Sequence, residues 1–491
     1  MLLLLVALIL LPAGADGSLA GVKIELSQKG ASYLSSVAGR ALNRRLEKLG
    51  GLPDVSVHYE KRFLGKASLG LTNVRILHFS RPSFSYELLP TNSLKWKLNG
   101  GNLTVAGNWK CEYKFLFFRS KSVNGQLTAR TQNKPRLEVA VALGATKDGK
   151  LKATDVHCKC EIGSIYLDID GPWTARLANV FRSKIERKLR PKLNQGLCKL
   201  VKRFVTEKLN NRVASFSFNK DLGNNLLADF SILGPVRVTP TSVVSWHRAE
   251  AIHSNFPLRR FSGLSRPMPE TVGTDKMLYI QASEYFFNSV LFQAHEAKIS
   301  SFDTSQEEMS NAIQFLKPSC SPFFAVCLGS VYPEIAERYP DAEAVMQAYT
   351  TAAPRVSFHR HHWNGSGEGV MELFVVEGTA RTKILSIDGC VEFNVSVAVK
   401  NEDKANPPRL MISISITKLT VKSVDSQLID QSNVQILADY SIPILEEMFN
   451  NLMSDGFRFN LATGSRLKDT ELKFRKGAIE VGTDFVFEKF E

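Results

Sequence analysis

After its opening residues the sequence has no apolar run of about 18 residues, the length that a membrane-spanning helix requires. It also lacks the motifs G-x-S-x-G, H-E-x-x-H and G-x-x-x-x-G-K-[ST]. Ser366 lies between glycines in NGSGEG, but this spacing does not make a nucleophile elbow and predicts a loop. We therefore expect a protein that is not an enzyme, with no catalytic residues, no metal and no cofactor.

Two segments are candidates for metal binding. In HRHHW, His359 and His361 would share one face of a strand, but two histidines without a placed third ligand give little support for zinc. The C-x-C pair at Cys158 and Cys160 has no second pair at zinc-ribbon spacing. We interpret HRHHW as a surface or loop cluster and the cysteine pair as disulfide chemistry.

The first residues, MLLLLVALILLPAGADG, combine a short apolar run with a small-residue cleavage site. This pattern predicts a secretory signal peptide over residues 1–15 and a secreted, extracellular mature protein without a transmembrane segment. Disulfides are permitted there. Three N-x-S/T sequons are candidates for glycosylation: Asn102, Asn364 and Asn394.

The net charge of +14 is concentrated in the first half of the chain. Residues 1–240 contain 38 basic and 17 acidic residues, a net charge of +21, and residues 241–491 contain 24 and 31, a net charge of −7. The first half is therefore expected to attract anionic surfaces. The alternative is a solvated basic surface with no specific partner.

Apolar spacing predicts long amphipathic helices. In residues 27–49 a stripe recurs at intervals of three and four: Leu34, Val37, Ala38, Ala41, Leu42, Leu46 and Leu49. Its last turns contain Arg44, Arg45 and Lys48, beside the stripe. A second pattern runs from Leu177 to Leu209, and Pro191 should kink or divide it. Further helical patterns cover residues near 333–349 and 428–453, the latter interrupted at Pro443.

Period-two alternation predicts strands between the helices, for example Val391–Val399 and Leu410–Ile416. A Pro-rich passage from Pro235 to Pro269 is the expected boundary between two halves of similar architecture. We predict an α+β fold of long antiparallel strands in which long helices seal curved sheets over apolar cavities.

Basic and aromatic residues alternate near the middle of the first half. The aromatics are Trp96, Trp109, Tyr113, Phe115, Phe117 and Phe118. Charge and rings together could indicate nucleic-acid binding, which fits a secreted protein poorly. We favour an anionic lipid head group, with Lys and Arg at phosphate and rings at the interface. The alternative is that the rings are strand core.

The seven cysteines leave at least one unpaired within the chain. Cys158 and Cys198 are well placed to attach the second helix to the sheet, although Cys160 could substitute for Cys158. Cys320 and Cys327 could close a short loop as a second disulfide. The pairing of Cys111, Cys160 and Cys390 stays open.

Several segments in order resemble the bactericidal/permeability-increasing and lipopolysaccharide-binding protein family. They are VKIELSQKGASYLSSVAGRAL, FLGKA, GNWKCEYKF, CKCEIGSIYLDIDG, SKIERKLRPKLNQGLC, LYIQASEYFFNS, PEIAERYP and SIPILEEMFNNLMSDGFRF. The resemblance covers nearly the whole mature chain. It implies a pseudo-two-fold boomerang of two elongated antiparallel β-barrels, each sealed by long amphipathic helices and joined by a central sheet, with a phospholipid in each barrel.

The resemblance also implies domains and a site. The domains would be a basic N-terminal lipid-binding barrel over residues 16–235, a Pro-rich central linker over 236–270 and a C-terminal barrel over 271–491. The family disulfide maps best onto Cys158 and Cys198. Lys66 and Lys110, and approximately Lys114, fall on basic positions of the family. Together with the basic clusters of the sequence, this gives the residues expected to bind lipid head groups and lipopolysaccharide: Arg44, Arg45, Lys48, Lys66, Lys95, Lys97, Lys110 and Lys114.

Two functions follow as expectations. The first is a monomeric innate-defence protein that binds lipopolysaccharide, phospholipid and the anionic bacterial membrane surface, but not nucleic acid. The second is a carrier of host phospholipid without lipopolysaccharide activity. Asn108 stands where a basic residue is common in the family, and Glu112 interrupts the basic cluster. Both residues weigh against high lipopolysaccharide affinity.

Overall fold

A computed structural model provides the structure of the chain. It describes residues 20–46, 54–61, 65–80, 83–90, 92–114, 121–132, 135–146, 148–170, 174–210, 219–271, 273–304, 316–320, 327–360, 362–401, 408–426, 428, 434–458 and 465–487. The predicted signal peptide, Lys48 and the three phenylalanines at 115, 117 and 118 lie outside these residues.

The described chain is rich in strand. In chain order the strands are β1 Val22–Ser27, β2 Val55–Lys61, β3 Gly65–Phe79, β4 Ser83–Leu89, β5 Ser93–Asn99, β6 Leu103–Lys114, β7 Lys121–Thr131, β8 Arg136–Ala145, β9 Leu151–Glu161, β10 Ile165–Ile169, β11 Asn219–Gly223, β12 Leu226–Asp229, β13 Arg237–Val238, β14 Ser242–His247, β15 Glu250–His253, β16 Leu278–Ser283, β17 Ser301–Asp303, β18 Glu343–Phe358, β19 Trp363–Glu377, β20 Ala380–Lys400, β21 Arg409–Ser426, β22 Phe457–Arg458, β23 Ser465–Arg475 and β24 Ala478–Phe487.

Helices lie between these strands. They are α1 Gln28–Leu46, α2 Thr174–Arg203, α3 Glu284–Glu296, α4 Leu328–Val331, α5 Pro333–Arg338 and α6 Val434–Leu452, and a π-helical segment, Phe204–Leu209, continues α2. The predicted α+β class is therefore confirmed. Helices α2 and α6 continue through their internal prolines, Pro191 and Pro443, so neither proline divides its helix.

The predicted helix near residues 333–349 is wrong in its second half. Helix α5 ends at Arg338, and β18 begins at Glu343. Strand β18 pairs with β19 along its length and with β17 at Gln347–Tyr349. These interstrand hydrogen bonds and the side-chain packing outweigh the helix propensity of Glu343, Ala344 and Met346, since propensity is a weak local preference.

Five sheets organise the strands, and the pairings described below are antiparallel. One sheet, β13-β14-β1-β16-β24-β23, joins strands from both halves of the chain. The first half adds β10-β7-β6-β3-β2 and β4-β5-β8-β9, and the second half adds β17-β18-β19-β20-β21-β22. A small sheet, β11-β12-β15, lies between them in sequence. The Pro-rich region thus contributes β13, β14 and β15 to sheets.

The predicted barrels are not closed by strand pairing within the described residues, because each sheet keeps two edge strands. Strand β21 pairs with β22 only at Arg409 and Leu410, and helix α6 covers the same side of β21 beyond that pairing. Asn450 donates to the Ile414 carbonyl at 3.0 Å and accepts from the Ile414 amide at 2.8 Å. Gln435 contacts the backbone of Leu419 and Val421 in the same way. Side chains of α6 therefore satisfy backbone groups that a neighbouring strand would otherwise pair.

Helix α2 does the same in the first half. Asn194 Oδ1 accepts from the Ile162 amide at 2.9 Å, and Glu186 Oε1 accepts from the Ile165 amide at 3.1 Å. On its apolar side Leu189 and Leu193 are buried against the sheet. Each long helix thus combines an apolar face, as its sequence periodicity predicted, with polar side chains that cap a sheet edge.

Candidate functional site

Two lysines face each other at one end of the sheet that contains β3, β6 and β7. Lys66, near the start of β3, is the register partner of Lys114, the last residue of β6, and of Glu60 on β2. Lys121 begins β7 at the same end, opposite Tyr113, so its side chain lies on the other face of the sheet from Lys114. All three side chains are exposed. We call Lys66, Lys114 and Lys121 the hairpin-end cluster, and Lys121 was not among the predicted site residues.

The hairpin-end cluster concentrates positive charge. Directly opposed residues in an antiparallel pair have Cα atoms about 4.5–5.5 Å apart, and like charges there are destabilising. A bound anion would relieve this repulsion and accept charge-assisted hydrogen bonds. The arrangement is therefore suited to a phosphate-bearing ligand.

Lys110 lies on β6 of the same sheet but has an acidic partner. Its Nζ is 2.7 Å from Glu112 Oε1, and both side chains are more than half exposed. The hydrogen bond from Lys110 lowers the pKa of the Glu112 carboxyl. Glu112 thus offsets the charge of Lys110 at this position.

Lys95 and Lys97 lie on β5, in the other sheet of the first half. Lys95 pairs with Glu138 at 3.1 Å, and Lys97 pairs with Glu87. The hydrogen bond with Glu87 raises the pKa of Lys97. These two predicted site residues therefore lie in a different sheet from the hairpin-end cluster.

The predicted cations of α1 are only partly described. Arg44 is exposed in the last turn of the helix. Arg45 lies in the helix, but its side chain is outside the described residues, as is the whole of Lys48. Their proposed contact with an anionic lipid stays a prediction.

The two tryptophans are core residues, which corrects the interface interpretation. Trp96 is 5% exposed, and its Nε1 donates to Ser35 Oγ on α1 at 3.3 Å. Trp109 is 8% exposed, and its Nε1 donates to the Asp170 carbonyl at 3.1 Å. Period-two alternation put each ring on the inner face of its strand, opposite the neighbouring lysines.

Both predicted disulfides are present. Cys158 on β9 joins Cys198 on α2, with a Cα–Cα distance of 5.6 Å, and Cys320 joins Cys327 at 5.3 Å. Cys111, Cys160 and Cys390 are free thiols. Burial raises the pKa of the free Cys160 thiol to about 12, which makes it a poor nucleophile at neutral pH.

The three sequons are at exposed positions, as glycosylation requires. Asn102 precedes β6. Asn364 on β19 and Asn394 on β20 are direct register partners. His359 Nε2 lies 3.0 Å from Asn364 Oδ1. The use of these sites stays a prediction.

The residues tested for catalytic and metal chemistry do not form a site in the described chain. Ser366 is in strand β19, not in the predicted loop, with Arg355 and Glu392 as register partners. His361, the predicted partner of His359, lies outside the described residues. His359 instead stacks with His362, with ring centroids 4.9 Å apart, in the connection between β18 and β19. Among the described side chains no three His, Cys, Asp or Glu groups are placed to hold a metal ion.

Cations of α2 were missing from the predicted site. Residues 174–203 contain ten Lys and Arg residues and one acidic residue, Glu186. The described cations on this helix are exposed: Arg187, Arg190, Lys192, Lys199, Lys202 and Arg203. A charge count over each predicted helix would have found this surface, since the signal is compositional.

The described helices include none that is long and apolar enough to cross a membrane.

Both halves of the chain match known protein-family domains. Residues 32–211 match the N-terminal domain of the LBP / BPI / CETP family, and residues 224–487 match its C-terminal domain. Bactericidal permeability-increasing protein of Sebastes schlegelii is 22% identical over 95% of each chain. Lipopolysaccharide-binding protein of Bos taurus is 21% identical over 98% of this chain and 97% of that protein.

A solved structure extends the likeness to the fold. The crystal structure of lipopolysaccharide binding protein aligns with a TM-score of 0.56 over 95% of this chain and 99% of its own, at 19% identity. At this identity the match supports a shared sheet-rich α+β fold and carries no residue roles.

Proposed function

This chain belongs to the LBP / BPI / CETP family, and we propose that it is a secreted protein that binds lipopolysaccharide through the basic end of its first half. The observation that carries this proposal is the hairpin-end cluster, where Lys66 and Lys114 are direct register partners and Lys121 is exposed nearby on β7. Relatives named for lipopolysaccharide binding and bactericidal activity cover nearly the whole chain.

Two interactions contribute to the free energy of binding in this proposal. Ammonium groups of the hairpin-end cluster bind the phosphates of lipid A through charge-assisted hydrogen bonds. Acyl chains enter apolar space between helix and sheet, with a gain of about 0.8 kcal/mol for each buried CH2. In this proposal the two halves are elongated barrels, each completed by its long helix and holding one phospholipid, with the shared sheet at the centre of a boomerang.

The proposal assigns recognition and lipid holding to this protein and no catalytic step. Arg44, Arg45 and Lys48 would face the same anionic surface from the end of α1. Lys110, Lys95 and Lys97 are each close to a carboxylate, which offsets part of their charge.

Paired substitutions test the hairpin-end cluster. We expect Lys66→Gln with Lys114→Gln to weaken lipopolysaccharide binding by roughly 100-fold, since two hydrogen bonds to a charged group contribute about 3 kcal/mol together. Lys95→Gln with Lys97→Gln removes the same net charge from the same half and should change the affinity less than about threefold. Equal affinities for the wild type and the Lys66/Lys114 variant would contradict the proposal.

Ion pairing favours a second candidate function. Three predicted lipopolysaccharide-binding lysines, Lys95, Lys97 and Lys110, already have acidic partners. A carrier of neutral host phospholipid needs no strong anion site. This candidate predicts transfer of labelled phosphatidylcholine between neutral vesicles at a rate that excess lipopolysaccharide and the Lys66/Lys114 variant leave unchanged.

A further inference from the structure

Glu112 places a carboxylate in the middle of a basic strand face. On β6, Lys110, Glu112 and Lys114 alternate with Trp109 and Cys111, which pack against the core, so the three charged side chains share the outer face of the sheet. All three are exposed. A site for phosphate alone would bind more tightly without Glu112, because like charges repel. The position of this carboxylate therefore needs an explanation.

Sheet stability does not explain Glu112. Opposite charges at directly opposed strand positions stabilise a sheet. Other ion-paired carboxylates in strands of the first half have a cation in that position: Glu87 is opposite Lys95, Glu138 is opposite Lys97, and Glu161 is opposite Arg136. Glu112 is instead opposite Ser68 on β3 and Ser122 on β7. Both positions opposite its carboxylate thus hold a short hydroxyl side chain.

Small residues keep the face around Glu112 open. Ser68 and Ser122 flank it, and Gly70 lies on the same face two residues after Ser68, opposite Lys110. Among the described residues beyond its chain neighbours, a Cβ added to Gly70 would come within 4 Å of one atom, the Lys110 carbonyl oxygen at 3.9 Å. Packing therefore does not require glycine at this position, and the face has room for a ligand beside the carboxylate.

The order of charges on this face matches a zwitterion. Lys66 and Lys114 are register partners at the end of the sheet, and Glu112 lies two residues from Lys114, about 7 Å along β6. Two ammonium groups side by side suit a phosphate. The carboxylate next to them suits a cationic group that a short linker joins to that phosphate.

The Glu112 carboxyl stays ionised and accessible. The hydrogen bond from Lys110, whose Nζ is 2.7 Å from Glu112 Oε1, lowers the pKa of this carboxyl. Both side chains are more than half exposed, and an exposed ion pair of this kind contributes little net free energy. Because a carboxylate accepts several hydrogen bonds, a ligand ammonium can share Glu112 with Lys110 or replace Lys110.

The cation that fits this face is a primary ammonium. Glu112 offers hydrogen-bond acceptors, which an ammonium with N–H groups uses and a quaternary ammonium does not. Quaternary ammonium groups are recognised by the faces of aromatic rings. Tyr113, the adjacent ring on β6, lies on the opposite face of the sheet, as the alternation of the strand requires.

We propose that Glu112 makes this site selective for head groups of the phosphoethanolamine type, which carry a primary ammonium beside the phosphate, over bare phosphate groups. Lys66 and Lys114 hold the phosphate, and Glu112 accepts hydrogen bonds from the ammonium. The inference rests on the proposed function, because it uses the same phosphate site. Two sources offer this head group: phosphatidylethanolamine in a membrane, and phosphoethanolamine attached to lipid A.

Three single variants of the full-length protein test this selectivity. Glu112→Gln removes the negative charge at nearly constant size, and Gly70→Val fills the open face with a residue that strands favour. Glu161→Gln is the matched control, because Glu161 also pairs with a lysine two residues away on an exposed strand face, Lys159 at 2.8 Å. Thermal unfolding shows whether each variant folds.

Each protein is assayed against two pairs of ligands. The first pair is lipopolysaccharide with and without phosphoethanolamine on its lipid A phosphates. The second pair is phosphatidylcholine vesicles that contain either phosphatidylethanolamine or phosphatidic acid. Selectivity is the ratio of the two affinities within a pair, so a loss that affects both ligands equally does not change it.

We expect wild type to bind the phosphoethanolamine ligand of a pair more tightly than its partner. Glu112→Gln should lower this selectivity about tenfold, the effect of one lost hydrogen bond between charged groups. Gly70→Val should lower it at least about threefold, because a displaced ammonium makes a poorer hydrogen bond. Glu161→Gln should leave it within about twofold of wild type, because exposed charges in another sheet are screened.

Selectivity that Glu112→Gln leaves unchanged, or that Glu161→Gln lowers equally, would overturn the inference. Selectivity that Glu112→Gln abolishes in either pair supports it, and the pair concerned identifies the source of the head group. The variant with Lys66→Gln and Lys114→Gln separates the two proposals. If it binds both lipopolysaccharides like wild type, the proposed function fails. If it loses binding while Glu112→Gln keeps wild-type selectivity, this inference alone fails.

Discussion

Asn450 on α6 makes the clearest test of how the helices complete the sheets. Its side chain donates to the Ile414 carbonyl at 3.0 Å and accepts from the Ile414 amide at 2.8 Å. We predict that Asn450→Ala frees both groups. Each bond contributes about 1 kcal/mol net, so the local opening free energy of β21 should fall by about 2 kcal/mol.

Hydrogen exchange measures this opening directly. A change of about 2 kcal/mol corresponds to roughly 30-fold faster exchange of the Ile414 amide, at 1.4 kcal/mol per factor of ten. Peptides from β21 should show the change, and peptides from β19 should not, because β19 pairs with strands on both sides.

Asn451→Ala is the matched control. Asn451 is the next residue of the same helix, its side chain is exposed, and its hydrogen bonds from Ser454 go to the main-chain carbonyl. The control should leave β21 exchange within about twofold of wild type. If Asn450→Ala also leaves Ile414 exchange unchanged, or if both variants accelerate it equally, the helix side chains do not hold this sheet edge.

Two further predictions concern the cysteines. Replacing Cys158 and Cys198 by Ser should lower the free energy of unfolding by about 4 kcal/mol, against about 2 kcal/mol for replacing Cys320 and Cys327, because the closed loops span separations of 40 and 7 residues. Denaturant unfolding measures both losses, and a larger loss for Cys320 and Cys327 would contradict the loop-entropy argument. The buried Cys160 thiol has a pKa of about 12, against about 8.5 for a free thiol, so at pH 8 it should be alkylated roughly a thousandfold more slowly in the native protein than after unfolding. The native rate should increase about tenfold per pH unit, and equal native and unfolded rates, measured by mass spectrometry, would show that the thiol is not buried.

Several elements were predictable because their signal is local. The apolar spacing from Leu34 to Leu46 predicted α1, and the alternation in Val391–Val399 and Leu410–Ile416 predicted parts of β20 and β21. These periods follow from the geometry of helix and strand themselves. The helix predicted near 333–349 failed because β18 is stabilised by partners on β17 and β19, which are distant in sequence.

The candidate site was only partly predictable for the same reason. Lys66, Lys97, Lys110 and Lys114 are equally basic in the sequence. Only the strand register brings Lys66 opposite Lys114 and carries Lys97 into another sheet beside Glu87. Likewise, the sequence does not assign Trp96 to the core, because its hydrogen bond to Ser35 on α1 depends on how the helix packs on the strand.

The sequence by itself determined the charge asymmetry, the long amphipathic helices, the strand-rich class and the set of cysteines available to pair. The tertiary structure decided which lysines are register partners, which lysines pair with carboxylates and which helix side chains complete a sheet edge. The physical reason is that composition and periodicity are properties of neighbouring residues, whereas ion pairs, register and edge capping depend on groups that folding brings together from distant parts of the chain.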